Sequence, residues 1–287
     1  MPDPTNRIAF QGAPGANSDM ACRDAYPDMT TLPSGVFADA FASVRNGDAR
    51  LAMIPIENTV AGRVADIHHL LPESGLHIIG EYFLRINHCL LGVRGATLDD
   101  ITHVHSHIHA LPQCSKIITE HNLVPVVHAD TAGAAADVAK WGDKTQASIS
   151  SSLAAELYDL DILGKDVEDA DHNTTRFVIM AREPLVQDPS QDNLMTTFVF
   201  RVRNIPAALY KAMGGFATNG VNMTKLESYL RGDFVAAQFY ADVEGHPDHE
   251  GLKHALEELE FFTHSVDILG TYPAHKYRLE QMGNHGD

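Results

Sequence analysis

Short apolar runs alternate with stretches of helical periodicity through the first two thirds of the chain. Residues 7–12 (RIAFQG) and 51–58 (LAMIPIEN) read as strands, the first ending at a glycine. A helix is predicted over 65–71 (ADIHHLL) and one or two long strands over 76–93. Strands at 100–107, 123–129, 145–151 and 176–181 then alternate with helices at 113–122, 131–142 and 153–160. Alternation of this kind implies parallel sheets covered by helices. Such sheets bind ligands beyond the carboxyl ends of their strands.

The periodicity lapses over 182–195 (REPLVQDPSQDNLM), where two prolines stand among polar residues, and a linker is predicted there. After it the pattern changes. A strand alternates over 196–203. A helix follows over 206–220, with Pro206 at its start and Gly220 past its end. Strands at 221–230 and 233–244 are joined by a turn at Arg231-Gly232-Asp233. Leu252, Leu256 and Leu259 mark a helix over 251–262, and 265–273 closes as a strand. The order βαββαβ is the ferredoxin-like arrangement, an antiparallel sheet with two helices on one face. The chain thus divides into 6–182, a linker at 183–195, a second domain at 196–273 and a tail at 274–287.

Composition narrows the function. The 287 residues suggest about two domains, and 44% hydrophobic with 21% charged residues is a globular mix rather than a disordered one. A formal net charge of −17 argues against nucleic acid and anionic membranes as partners. An anionic substrate would need local cations and N–H groups set against that field. No apolar run approaches the ~18 residues of a membrane span, and the first residues lack a signal pattern. Cys22, Cys89 and Cys114 are far apart with no CxxC pair, which suits reduced, buried thiols in a cytoplasmic protein.

Several stretches are candidates for chemistry. Thr174-Thr175-Arg176 sets two hydroxyls beside a permanent planar cation at the start of a strand. On an extended chain Thr175 and Arg176 face opposite ways. The plain alternative is that the threonines tie down a turn while Arg176 pairs with Asp169 or Asp171. The glycine-rich stretch 12–26 precedes a helix capped by Asn17 or Ser18, and free N–H groups there attract anions. Residues 130–136 have the same form, with Thr131 as cap and Gly133 leaving the backbone open to a ligand. Glu57, Asn58 and Thr59 stand at the carboxyl end of an apolar strand, as an α/β site requires, although a capped turn reads equally well. Histidines 103, 105, 107 and 109 fall at alternate positions, which invites a metal. Without local carboxylate support, none is expected. No GxSxG or GxGxxG occurs, so neither a nucleophile elbow nor a dinucleotide site is predicted.

Taken in order, these stretches resemble the prephenate dehydratase family. The resemblance rests on FQGAPGANSDMA (10–21), IPIENTVAGRV (54–64), SHIHALPQC (106–114), DTAGAAADVA (130–139), ASISSSLAAELYDLDIL (147–163) and NTTRFVIM (173–180). Farther on, NMTKLESYLRG (222–232) resembles the phenylalanine-binding segment of the family's ACT domain. The resemblance implies a catalytic domain of two α/β lobes like a periplasmic binding protein, followed by a ferredoxin-like ACT domain. It implies that prephenate loses CO₂ and its hydroxyl to give phenylpyruvate, without metal or organic cofactor. Thr175 would be the donor to the leaving oxygen and Glu57 its partner. Asn58, Ser106, Gln113, Thr131 and Thr174 would hydrogen-bond the substrate, Arg176 would offset its charge and Phe177 would pack near its ring. L-Phenylalanine would act as effector at Ala208, Leu209, Asn222, Glu227 and Ser228, in a homodimer or homotetramer. Arogenate is the alternative substrate. Three places depart from the family pattern. Ser106-His107-Ile108-His109 replaces Ser-His-Pro-Gln. Ala207-Ala208-Leu209-Tyr210 stands for Gly-Ala-Leu-Val, and Glu227-Ser228-Tyr229-Leu230 for Glu-Ser-Arg-Pro, which implies weaker regulation.

Overall fold

Strand and helix alternate through residues 7–181 as the pattern predicts, with added elements where polar or proline-containing segments hide the signal. The computed structural model describes residues 3–64, 67–230 and 237–284. In chain order the elements are β1 (Arg7–Gln11), α1 (Asn17–Ala25), β2 (Thr30–Ser34), α2 (Phe37–Asn46), β3 (Leu51–Asn58), β4 (Gly62–Arg63), α3 (Ile67–Leu70), β5 (His77–Arg85), β6 (Cys89–Val93), β7 (His103–His107), α4 (Ser115–Glu120) and β8 (Val124–His128). There follow α5 (Thr131–Trp141), β9 (Gln146–Ser150), α6 (Ser152–Leu157), β10 (Leu160–Gly164), β11 (Thr174–Ala181), β12 (Leu194–Val202), α7 (Ala208–Thr218), β13 (Met223–Leu230), β14 (Ala237–Glu244), α8 (Glu250–Phe262), β15 (Thr263–Pro273) and α9 (Lys276–Asn284). By contacts the chain forms two compact units, Met1–Arg63 with Phe83–Phe177, and Val64–Tyr82 with Val178–Asp287.

Two sheets are built mainly from the first unit. One has the order β2-β1-β3-β11-β5, with β4 on β3, and β1 runs parallel to both β2 and β3. β2 contains Pro33, which a strand tolerates at a sheet edge because its missing N–H interrupts no ladder. The other sheet has the order β10-β6-β9-β7-β8. There β9, β7 and β8 are parallel, but β6 runs antiparallel to both β9 and β10. The sheets are therefore mixed rather than purely parallel. β6 enters from the other sheet through Ile86–His88, and no helical crossover fixes its direction. Leu90, Leu91, Val104, Val138, Ala147 and Ile149 form the core of this second sheet. The small residues Ala132, Ala134 and Ala135 of α5 are also fully buried. Cys22, Cys89 and Cys114 are buried, and burial pushes all three thiols above the usual range.

In the second unit the predicted βαββαβ order forms a four-stranded antiparallel sheet, β13-β14-β12-β15. Its core joins Phe198 and Phe200 of β12, Phe216 of α7, Phe239 of β14 and Leu252 and Leu259 of α8. Leu256 packs at the margin of that core. The turn predicted at 231–233 and the predicted start of its second strand lie outside the described residues. Three boundaries differ from the pattern. β12 begins at Leu194, so Leu194 and Met195, both buried, belong to the strand rather than to a linker. α7 begins at Ala208, because Ala207 adopts a left-handed conformation at φ +60° and closes the preceding turn. The predicted tail forms α9, which is held by charge rather than by an apolar stripe. Arg278 Nε and NH2 donate to Glu81 Oε1 and Oε2 at 2.8 and 2.7 Å, and the Glu81 carboxylate is fully buried. In the same unit His68 and His69 of α3 lie edge-on or tilted against Tyr229 and Tyr240. Among the described residues no helix is long and apolar enough to cross a membrane.

Replacing Arg278 by alanine leaves the Glu81 charge buried without its guanidinium. Loss of one partner of a buried pair costs about 3–5 kcal/mol. Urea titration of Arg278→Ala should show that loss, and Glu81→Gln combined with Arg278→Met should recover part of it. A change below about 1 kcal/mol in the single variant would show the pair to be solvated.

Candidate active site

The end of β3 meets the start of β11. Thr59 N donates to Thr174 O at 3.0 Å, Thr174 N to Thr59 Oγ1 at 2.9 Å, and Thr59 Oγ1 to His172 O at 2.6 Å. One step inward, Asn58 Nδ2 donates to Thr175 Oγ1 at 2.9 Å. One step further, Arg176 NH1 donates to Glu57 Oε1 at 3.0 Å. The pairs 59/174, 58/175 and 57/176 run in opposite senses, so this stretch is antiparallel. Side chains on extended strands alternate faces, and the Asn58–Thr175 pair and the Glu57–Arg176 pair therefore lie on opposite sides of the sheet. Arg176 is 3% exposed, and it pairs with Glu57 rather than with Asp169 or Asp171. Asp169 instead accepts from the backbone of Ser115 and Lys116 at the start of α4.

The Asn58 carboxamide is oriented by the backbone. Its Oδ1 accepts from Val60 N at 2.9 Å and Ala61 N at 2.7 Å. Its Nδ2 therefore serves both Thr175 and Asn173 Oδ1, the latter at 2.7 Å. Asn173 Nδ2 in turn donates to Gln113 Oε1 at 2.8 Å. Asn173, absent from the predicted set, is the link that ties Gln113 to Asn58. It sits just before the Thr-Thr-Arg stretch, and its only sequence signal is that position. Gln113 and Asn173 border a cleft of about 450 Å³, with Val60, Ala61, His109 and Glu168 among its other walls.

The remaining predicted residues have other surroundings. Ser106 is fully buried and donates to Ile149 O at 2.6 Å. Thr174 and Phe177 are buried in β11. Thr131 is the first residue of α5 rather than its cap. Asp130 is the cap, accepting from Gly133 N at 2.6 Å. A Cβ at Gly133 would lie 2.8 Å from Asp130 Oδ2, so the group that uses the open backbone is the protein's own carboxylate. At α1 the cap is Ala16, with no side-chain bond, and the buried Asp19 carboxylate takes Gly15 N at 2.8 Å. That turn is closed by an internal acceptor, because Asp19 reaches back from inside the helix. β7 ends at His107, so His109 leaves the strand, and His105 bonds to Gln146 at 2.8 Å. Among the described residues no three His, Cys, Asp or Glu side chains form a metal-holding group.

The predicted effector residues separate within one chain. Ala208 and Leu209 open α7, whereas Asn222 lies past its far end, about 16 Å away by helix rise. Asn222 donates to Glu244 at 2.7 Å and borders a cleft of about 290 Å³ with Val221, His249 and Leu252. Glu227 faces Lys225 at 3.4 Å on β13, the strand that also carries Ser228.

Comparison with known proteins identifies the family. Residues 8–185 match the family model for prephenate dehydratase. A protein of Komagataeibacter europaeus named bifunctional N-acyl-homoserine lactone acylase/prephenate dehydratase is 57% identical over 272 residues, which cover 94% of this chain and 97% of that one. Arogenate dehydratase/prephenate dehydratase 2 of Arabidopsis thaliana is 37% identical, across 93% of this chain and 72% of its own length. The crystal structure of prephenate dehydratase from Arthrobacter aurescens in complex with L-Phe superposes with a TM-score of 0.86 at 29% identity, covering 93% of this chain and 90% of that one. With the family model matched across 8–185 and the whole fold shared, the chain belongs to the prephenate dehydratase family and is a hydro-lyase.

Proposed function

We propose that the chain converts prephenate to phenylpyruvate, water and CO₂ in the cleft beside the β3–β11 junction. The observation that carries this reading is the direction of the Asn58–Thr175 hydrogen bond. Thr175 Oγ1 is an acceptor there, so its hydroxyl hydrogen is left to point at the leaving oxygen of the substrate. As CO₂ departs, its bonding electrons enter the ring, the C–O bond breaks and the ring becomes aromatic. The barrier lies in expelling hydroxide, and a donor at that oxygen lowers it. A threonine hydroxyl does not ionise near neutrality, so Thr175 hydrogen-bonds and relays a proton rather than supplying it outright. Glu57, expected as the partner of Thr175, pairs instead with Arg176 on the other face of the sheet. Gln113 and Thr175 supply neutral donors, which suits a dianion in a chain of net charge −17.

The reading assigns catalysis to 6–182, as two lobes like those of a periplasmic binding protein, and regulation to an ACT domain at 196–273. The Arthrobacter aurescens structure contains L-Phe, which supports phenylalanine as effector here. Because Ala208 and Leu209 stand a helix length from Asn222, one effector site draws on two chains, consistent with a homodimer or homotetramer.

Three measurements test these assignments. Thr175→Ala should lower kcat on prephenate by about 10²–10⁴, the range for a lost proton-transfer group. Near-native turnover would remove Thr175 from the reaction. Phenylalanine should reduce turnover with a coupling near the lower end of the usual ~1–3 kcal/mol, and sedimentation should give an even oligomer. A flat response with no phenylalanine bound would remove the regulatory assignment alone. The relatives favour two further substrates. The Arabidopsis name joins arogenate to prephenate, and the ratio of kcat/KM for the two decides preference. The 57% identical relative is named as an acylase of N-acyl-homoserine lactones. Release of free homoserine lactone from an acylated one would extend that hydrolysis to this chain, and its absence would confine the chain to dehydration.

A further inference from the structure

Resting on the dehydratase reading above, we propose that Asn173 and His88 are positioning residues. Together they fix the hydrogen-bond polarity of the site, so that Gln113 and Thr175 both face the substrate as donors.

The polarity follows from one fixed point. Backbone N–H groups only donate, so the Asn58 atom facing Val60 N and Ala61 N must be its oxygen. Both amide hydrogens of Asn58 are then spent on Asn173 Oδ1 and Thr175 Oγ1. With its oxygen facing Asn58, Asn173 must turn its nitrogen to Gln113, and the Gln113 atom at 2.8 Å must be oxygen. His88 Nε2 lies 3.4 Å from that same oxygen. It can interact favourably only if it carries the hydrogen.

His88 is built to hold that state. The residue is 4% exposed, and burial lowers the basicity of its imidazole, which the Gln113 bond and the Glu168 charge partly offset. A neutral ring has one N–H, and the Gln113 oxygen selects Nε2 for it. Glu168 Oε2 accepts His88 N at 2.8 Å and fixes the backbone, while Arg85 faces Glu168 at 3.5 Å. The Gln113 amide pair and the Thr175 hydroxyl have no acceptor among the described residues, and Asn173 keeps one further amide hydrogen. A substrate with two carboxylates offers acceptors, so both sets suit it. Were Gln113 turned over, it would present a carbonyl oxygen to an anion.

The test uses a near-isosteric change. Asn173→Asp replaces the donor to Gln113 by an acceptor, so Gln113 must turn its amide nitrogen toward residue 173 and toward His88. His88 then becomes the acceptor and its hydrogen moves to Nδ1. Imidazole ¹⁵N shifts of the full chain should show the Nε2–H tautomer in the native protein and Nδ1–H in Asn173→Asp. The same tautomer in both proteins overturns the proposal. In kinetics, Asn173→Asp should lower kcat/KM for prephenate by about 100-fold, the scale of a misplaced substrate contact, with an unchanged thermal midpoint. His88→Leu should lose about tenfold or more. His88→Gln, which keeps a nitrogen donor at the same reach, should recover most of that loss. A His88→Leu enzyme as active as the native one overturns the role of His88. A native protein with the tautomer switch but no prephenate turnover would sink the dehydratase reading while supporting the relay.

Discussion

Two peptide N–H groups, those of Val60 and Ala61, point at one carboxamide oxygen, and much of the site is ordered by that constraint. A backbone donor cannot reverse its role as an amide side chain can. Once Asn58 is oriented, Asn173, Thr175 and Gln113 have one self-consistent arrangement, and the alternative places two acceptors or two donors face to face. The turn that supplies the two donors follows β3 directly, so strand geometry sets a property of groups on three other segments. Linked hydrogen bonds of this kind hold a single geometry better than the sum of their bonds suggests.

A second constraint is electrostatic. The chain carries 38 acidic side chains against 21 lysines and arginines, yet its proposed substrate is a dianion. The buried cation nearest Thr175, Arg176, is already paired with Glu57 across the sheet. Recognition by neutral amide and hydroxyl donors avoids moving an unpaired charge into the core, which would cost more than it returned. Glu168 and Asp169, which also line the cleft, are occupied by Arg85, His88 N and the start of α4.

Much of this was legible in the residues. Glu57-Asn58-Thr59 and Thr174-Thr175-Arg176 stand out because polar side chains end or begin strongly apolar strands. The βαββαβ order could be read from period alone. The helix over 37–46 was equally available, with Phe37, Ala40, Phe41 and Val44 at helical spacing, but alanine and serine blur the pattern. What could not be read was pairing across distance. Nothing near Arg176 marks Glu57 as its partner, and local acids at 169 and 171 are the natural guess. Likewise α9 looks like a tail because its anchor is a single arginine whose acid lies 197 residues away. The caps failed for a related reason: a carboxylate placed before or inside the first turn, Asp130 or Asp19, outcompetes the nearby hydroxyl or amide.

Residues 64–82 pack with the C-terminal unit although the chain reaches them directly from the Glu57–Thr59 turn. β5 and β11 each begin in one unit and end in the other. The segment rich in proline near residue 184 is thus a poor place to divide the gene. Two polypeptides made by a break there would carry Glu81 in one product and Arg278 in the other, and likewise the His68 and Tyr240 rings. An evolutionary loss or exchange of the segment beyond that point would have to supply new cover for residues 64–82, whereas a tandem arrangement joined by one linker could be shuffled freely.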